Sequence, residues 1–96
     1  MQSNSDEFYK KLKKQLKKST DWPSLYLFKF ILPTQNEAEL EKLTLIFENT
    51  DAVITTKQSS KGKYTSVSIH VKMKSPDHVI SRYREVGNKV KGVISL

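Results

Sequence analysis

Residues Ser59-Ser60-Lys61-Gly62-Lys63-Tyr64-Thr65-Ser66-Val67-Ser68-Ile69 constrain the fold more than any other stretch of this chain. They open on a tight turn, in which Gly62 supplies the left-handed residue that follows a type I turn and leads into a bulge. They continue into a strand, Tyr64 to Met73, that alternates without interruption. Val67, Ile69, Val71 and Met73 face one way; Tyr64, Ser66, Ser68, His70 and Lys72 face the other. A turn this short joins antiparallel neighbours, so Ala52 to Gln58, rich in branched residues, is the partner strand. The pair has an apolar face that needs cover and a face that is small and polar.

The remaining elements follow from period and punctuation. Leu25 to Leu32 reads as a strand with Tyr26, Phe28 and Phe30 on one face and Leu25, Leu27 and Ile31 on the other. A strand apolar on both faces is expected to be central and covered on both sides. Thr34-Gln35-Asn36-Glu37, with Pro33 just ahead, has the form of a capping box. It opens a helix carrying Leu40, Leu43, Ile46 and Phe47 on one face, stopped by Asn49-Thr50-Asp51. Ser75-Pro76 begins another helix, serine as cap and proline at the first position, with Val79, Tyr83, Val86 and Val90 at helical spacing and Ile80 beside them. Gly92 ends that region, and Val93 to Leu96 forms a short closing strand.

Ahead of all this, Ser5 to Ser19 reads as an amphipathic helix. Phe8, Leu12 and Leu16 recur every four residues, Tyr9 lies beside them, and lysines occupy the rest. Ser3 or Ser5 can cap it, and Trp22-Pro23 ends it. Three apolar side chains cannot hold such a helix alone, so it must dock. The order is a helix followed by β-α-β-β-α-β, which predicts an α+β fold: a ferredoxin-like sandwich with an additional N-terminal amphipathic helix. The first and third strands should be the interior ones. Residues 1–21 form the lysine-rich helix and residues 22–96 a single domain.

With 96 residues, 36% of them hydrophobic and 28% charged, there is room for one modest core. No stretch is long and apolar enough to span a bilayer, and the polar start lacks the apolar region of a signal peptide. Together with the absence of cysteine, this places the protein in the cytoplasm and excludes disulfide and thiol chemistry. The net charge of +7 is uneven, because residues 1–20 hold six lysines against Asp6 and Glu7.

The segment from Ser59 to Ile69 resembles the Ser-Ser-Lys-Gly-x-Tyr-x-Ser-Val-Ser-Ile segment of the YbeD-like bacterial proteins, small cytosolic domains of unknown function. The resemblance runs over about residues 22–96 and leaves the first helix aside. It implies a fold like that of ACT-type regulatory domains, which bind small ligands and associate through their sheets. ACT domains that bind amino acids place a glycine after the first strand; here Leu32-Pro33-Thr34-Gln35-Asn36 has none.

No catalytic, metal or cofactor constellation stands out. His70 and His78 are the only histidines, and no cysteine can complete a metal site. No Gly-x-Ser-x-Gly elbow is present. Two readings of the hairpin tip stay open: an anion-gripping loop with exposed N–H groups, or a turn whose lysines are merely solvated. RNA-recognition motifs share the element order, but their third strand places aromatics where this chain has Lys63 and Thr65. Nucleic-acid binding is therefore expected to be weak, resting on the lysines of the first helix and falling steeply with salt.

These observations lead to a non-enzymatic regulatory or ligand-sensing domain acting through its sheet surface as a dimer, without cofactor or membrane association. Ser59, Lys61, Lys63, Tyr64, Ser66, Ser68 and His70 are the candidate contacts to a small-molecule or protein partner. One alternative is a protein-interaction adaptor in which the first helix either meets an acidic partner or covers the sheet. The other is a weak nucleic-acid-binding module.

Overall fold

A computed structural model of the chain describes residues 3–48 and 50–95. Its elements are α1 (Ser3–Ser19), β1 (Ser24–Pro33), α2 (Glu37–Ile46), β2 (Val53–Gln58), β3 (Tyr64–Met73), α3 (Pro76–Lys89) and β4 (Ile94–Ser95). The four strands form one antiparallel sheet in the order β2-β3-β1-β4, so β1 and β3 are interior as their sequences require. The long β1–β3 ladder runs from Ser24↔Met73 to Pro33↔Tyr64 and puts Phe28 opposite Ile69.

One face of the sheet carries the core. Phe28, Phe30 and Leu32 of β1 and Val67, Ile69, Val71 and Met73 of β3 are buried against Leu43 and Phe47 of the α2 region and Val79, Tyr83, Val86 and Val90 of the α3 region. Phe28 lies at the middle, its ring 4.8 Å from Tyr26, 5.2 Å from Phe47 and 5.0 Å from Tyr83 between centroids. α3 starts as its sequence predicts, with Pro76 in the first turn and the Ser75 hydroxyl accepting from His78 N–H at 3.2 Å. His78 in turn accepts the Lys74 N–H on Nδ1, and burial pushes its pKa down. Glu39 of α2 accepts the Lys91 N–H at 2.6 Å, and that bond holds its carboxyl below the usual range.

Three expectations need correction. Thr34 is not a helix cap: Asn36 is the N-cap, without a side-chain capping bond. Thr34 instead donates its N–H to Lys63 O at 2.8 Å and shares a 2.9 Å hydroxyl bond with Thr65, because β1 goes on pairing toward the hairpin before the helix begins. The strand β1 is interior but covered on one face only; Leu25 and Leu27 are 72% and 45% exposed. In α1, Phe8 is 61% exposed and Tyr9 takes its place in the docked stripe. Positions spaced by four drift about 40° around a helix at each step, whereas Tyr9 and Leu16, seven apart, differ by only about 20°.

That stripe of Tyr9, Leu12 and Leu16 packs on α3, not on the open face of the sheet. Polar contacts frame it. Lys13 bridges Asp77 at 2.7 Å and holds that carboxyl below its usual range, Arg84 meets Asp6 at 3.0 Å, and Trp22 Nε1 donates to Leu16 O at 3.1 Å. The expected caps Ser3 and Ser5, the stop residue Asn49 and the last strand residue Leu96 have side chains or positions outside the described residues. The end of α2 is held by Thr50 Oγ1 on Phe47 O at 2.6 Å and by Arg82 on Ile46 O.

Tyr83 joins the layers. Its hydroxyl shares a 2.9 Å bond with that of Tyr26, and its ring stacks at 6.3 Å on Tyr9. Burial, reinforced by the bond to Tyr26, pushes the Tyr83 phenol far above its ordinary range. A phenol whose pKa is raised by folding adds stability while it is neutral in both states, and loses that contribution as pH rises past the unfolded value of about 10. The chain should therefore destabilise on going from pH 9 to 11, more steeply than its Tyr83→Phe variant. Urea midpoints across that range check this, and parallel slopes for the two proteins would refute it.

Candidate functional site

The β2–β3 hairpin is built around the hydroxyl and backbone of Ser59. Ser59 N–H donates to Tyr64 O, Ser59 O accepts from Gly62 N–H, both at 2.8 Å, and Ser59 Oγ accepts the Tyr64 N–H at 3.2 Å. Gly62 has φ +72, as the turn geometry predicts. The expected bulge is absent. Pairing stays in register through Gln58↔Thr65, and the four residues 60–63 form the loop. Lys63, which follows Gly62, uses its carbonyl to accept from Thr34 N–H. The hairpin tip is thus tied to the β1–α2 connection.

Beyond the tip, Tyr64, Ser66, Ser68 and His70 line the outer face of β3, as their alternation requires. Register fixes their neighbours. His70 stands between Val53 and Leu27, Ser68 between Thr55 and Lys29, Ser66 between Lys57 and Ile31, and Lys72 beside Leu25. Ile31 pairs on its other side with Ile94. This face carries exposed Leu25, Leu27, Val53, Tyr64 and Ile94, with Ser66 and Ser68 half-buried and His70 exposed. Ser66 Oγ donates weakly to Lys57 O at 3.3 Å.

Tyr64 separates two shallow grooves. One, of ≈ 640 Å³, is lined by Pro33, Thr34, Gln35, Glu37, Gly62, Lys63 and Tyr64. The other, of ≈ 430 Å³, runs past Ile31, Lys57, Ser59, Ser60, Tyr64 and Ser66. Ser59, Tyr64 and Ser66 therefore meet in one groove and Lys63 joins Tyr64 in the other. Lys61, Ser68 and His70 line neither. From Tyr64 to His70 is six residues of strand, about 20 Å. The seven predicted residues share a surface, not a pocket. Of the apolar members of that surface, Leu25, Leu27 and Ile31 were legible as the second face of β1, expected to be covered, whereas Val53 and Ile94 were not singled out. The signal was present in the two apolar faces of β1, one of which has no cover.

Among the described residues, no group of three or more His, Cys, Asp and Glu side chains could hold a metal ion, and no helix is long and apolar enough to cross a membrane. The displaced titrations, at Glu39, Asp77, His78, Tyr83 and Glu85, lie in the helices and have backbone hydrogen-bond, burial or ion-pair causes. Glu85, for example, is held low by Lys89 and Arg82.

The sheet with its serine-lined strand falls inside a match to a family model described as a protein of unknown function, DUF493, over residues 17–94. The chain belongs to the DUF493 family. YbeD is a member, so the likeness read from residues 59–69 holds. The DUF493 match begins in the last turn of α1 and leaves the rest of that helix outside. No match was found among curated proteins or among solved structures.

Proposed function

We propose that this DUF493 chain is a non-enzymatic regulatory or ligand-sensing domain of ferredoxin-like arrangement that works by binding on the outer face of its sheet. One observation carries the reading. On the face turned away from the helices, Leu25, Leu27, Val53 and Ile94 are 72%, 45%, 61% and 55% exposed, beside the hydroxyls of Ser66 and Ser68. Exposed large apolar side chains gathered on one face in this way, here around Lys29 and His70, mark interaction sites. The adaptor reading of α1 has less support, since Tyr9, Leu12 and Leu16 are already engaged on α3.

The test is a thermal-shift and NMR screen of the full chain against amino acids, nucleotides and small carboxylic acids. A ligand that binds the native state must raise its melting temperature. The expected result is amide shifts along Leu25–Ile31 and Tyr64–Lys72. Shifts confined to the helices, or turnover of a panel compound, would count against the proposal.

A further inference from the structure

We infer that the outer face of the sheet docks an acidic amphipathic helix of a partner protein, laid along β1. This deepens the proposed function and rests on its choice of surface.

Charge is the first argument. Lys29, Lys57 and Lys72 are exposed on this face, His70 lies among them, and among the described residues no outward position of the four strands is Asp or Glu. The chain has ten acidic side chains, all of them elsewhere. Glu37 approaches only at the Tyr64 end, so a partly apolar surface whose strand positions carry lysines and no carboxylate matches an apolar stripe flanked by carboxylates.

Shape is the second. Leu25 and Leu27 lead along β1 to Ile31, with Lys29 standing between Leu27 and Ile31, and Ile94 continues the path beside Ile31. Six strand residues span about 20 Å, the length of about 13 helical residues. Lys72 lies about one strand spacing from Leu25 and Lys57 about two from Ile31, within reach of acids on the flanks of a helix about 10 Å wide. Thr55, Ser66 and Ser68 are small, which leaves the β2–β3 side low enough for the body of that helix.

Other occupants fit less well. A second copy would bring Lys29, Lys57 and Lys72 toward the same lysines. A single-stranded nucleic acid draws its affinity at physiological salt largely from stacking aromatics, and of the aromatics only Tyr64, at the rim, is on this face. A single small molecule cannot reach from Tyr64 to His70.

The probe is a synthetic peptide of about 16 residues with leucines on one helical face and glutamates on its flanks. Controls are a scrambled peptide and one with lysine for glutamate. Each is titrated into the full-length labelled chain at low and at physiological salt. The ordered acidic peptide is expected to bind at least about tenfold tighter than either control, shifting Leu25–Ile31 and Tyr64–Lys72 amides. Leu27→Glu, at an exposed position that leaves the core untouched, should weaken it about tenfold. Lys29→Glu and Lys57→Glu should weaken it too, and should improve binding of the lysine peptide.

Equal binding of the scrambled peptide, or shifts only at the α1 lysines, would overturn the inference. So would preferential occupation of the face by an oligouridine RNA, by phosphatidylglycerol vesicles, or by a second copy seen as self-association that Leu27→Glu abolishes. If the peptide fails but the metabolite screen still shifts Leu25–Ile31, the helix partner is wrong and the working surface stands. Silence in both experiments removes both.

Discussion

Truncating Phe28 to alanine is expected to lower the unfolding free energy by about 3–5 kcal/mol, the upper range for a buried aromatic. Phe28 has no exposed surface and touches the aromatic rings of Tyr26, Phe30, Phe47 and Tyr83. Those rings come from β1 itself, the end of α2 and the middle of α3, so none can move into the space without dragging an element with it. A domain of this size has about 5–15 kcal/mol of stability in total, and the variant should be partly unfolded at moderate temperature. Urea unfolding followed by circular dichroism checks this, as a lower midpoint at unchanged slope. Leu25→Ala, on the other face of the same strand, should change stability by no more than about 0.5 kcal/mol. A loss below about 1.5 kcal/mol for Phe28→Ala would mean that the aromatic cluster closes around the hole and that the sheet–helix core is less tightly specified than its burial implies.

The contrast between Phe28 and Leu25 also marks where sequence reading succeeds. The third strand was legible because its period of two is unbroken, and α3 because a Ser-Pro start and a four-residue stripe agree with each other. The outer half of β1 was not. An apolar outward face looks the same in a sequence whether the chain covers it or leaves it open, since hydrophobic pattern records burial need and not the identity of the cover. Thr34 failed for a different reason. A capping box is a local preference of about 1 kcal/mol, and here the Lys63 carbonyl and the Thr65 hydroxyl, both distant in sequence, claim the same residue. The candidate site was legible as a set of residue types on one strand face. Its extent was not, because spacing along a strand says which side chains share a face and nothing about how a groove at Tyr64 divides them.

The second large effect belongs to α1. Leu16→Ala is expected to cost about 2–3 kcal/mol, whereas Phe8→Ala should stay within about 0.5 kcal/mol of the parent. Leu16 is 8% exposed in the core cluster, and Phe8, on the same helix and larger, is 61% exposed. The ion pairs Lys13–Asp77 and Arg84–Asp6 are on the surface and add little each, and the Arg84 guanidinium 4.7 Å above the Tyr9 ring adds about 0.5–1 kcal/mol. Most of the hold of α1 on the domain therefore rests on Leu16, with Leu12 and Tyr9 beside it. Removing residues 1–20 should destabilise the remainder at least as much as Leu16→Ala does, because it also uncovers Tyr83 and its neighbours on α3. If instead Leu16→Ala and the deletion both leave the urea midpoint unchanged, α1 is not part of the folding unit. Its apolar stripe and its lysines would then be free to meet another molecule, and the adaptor reading would displace the sheet as the working surface.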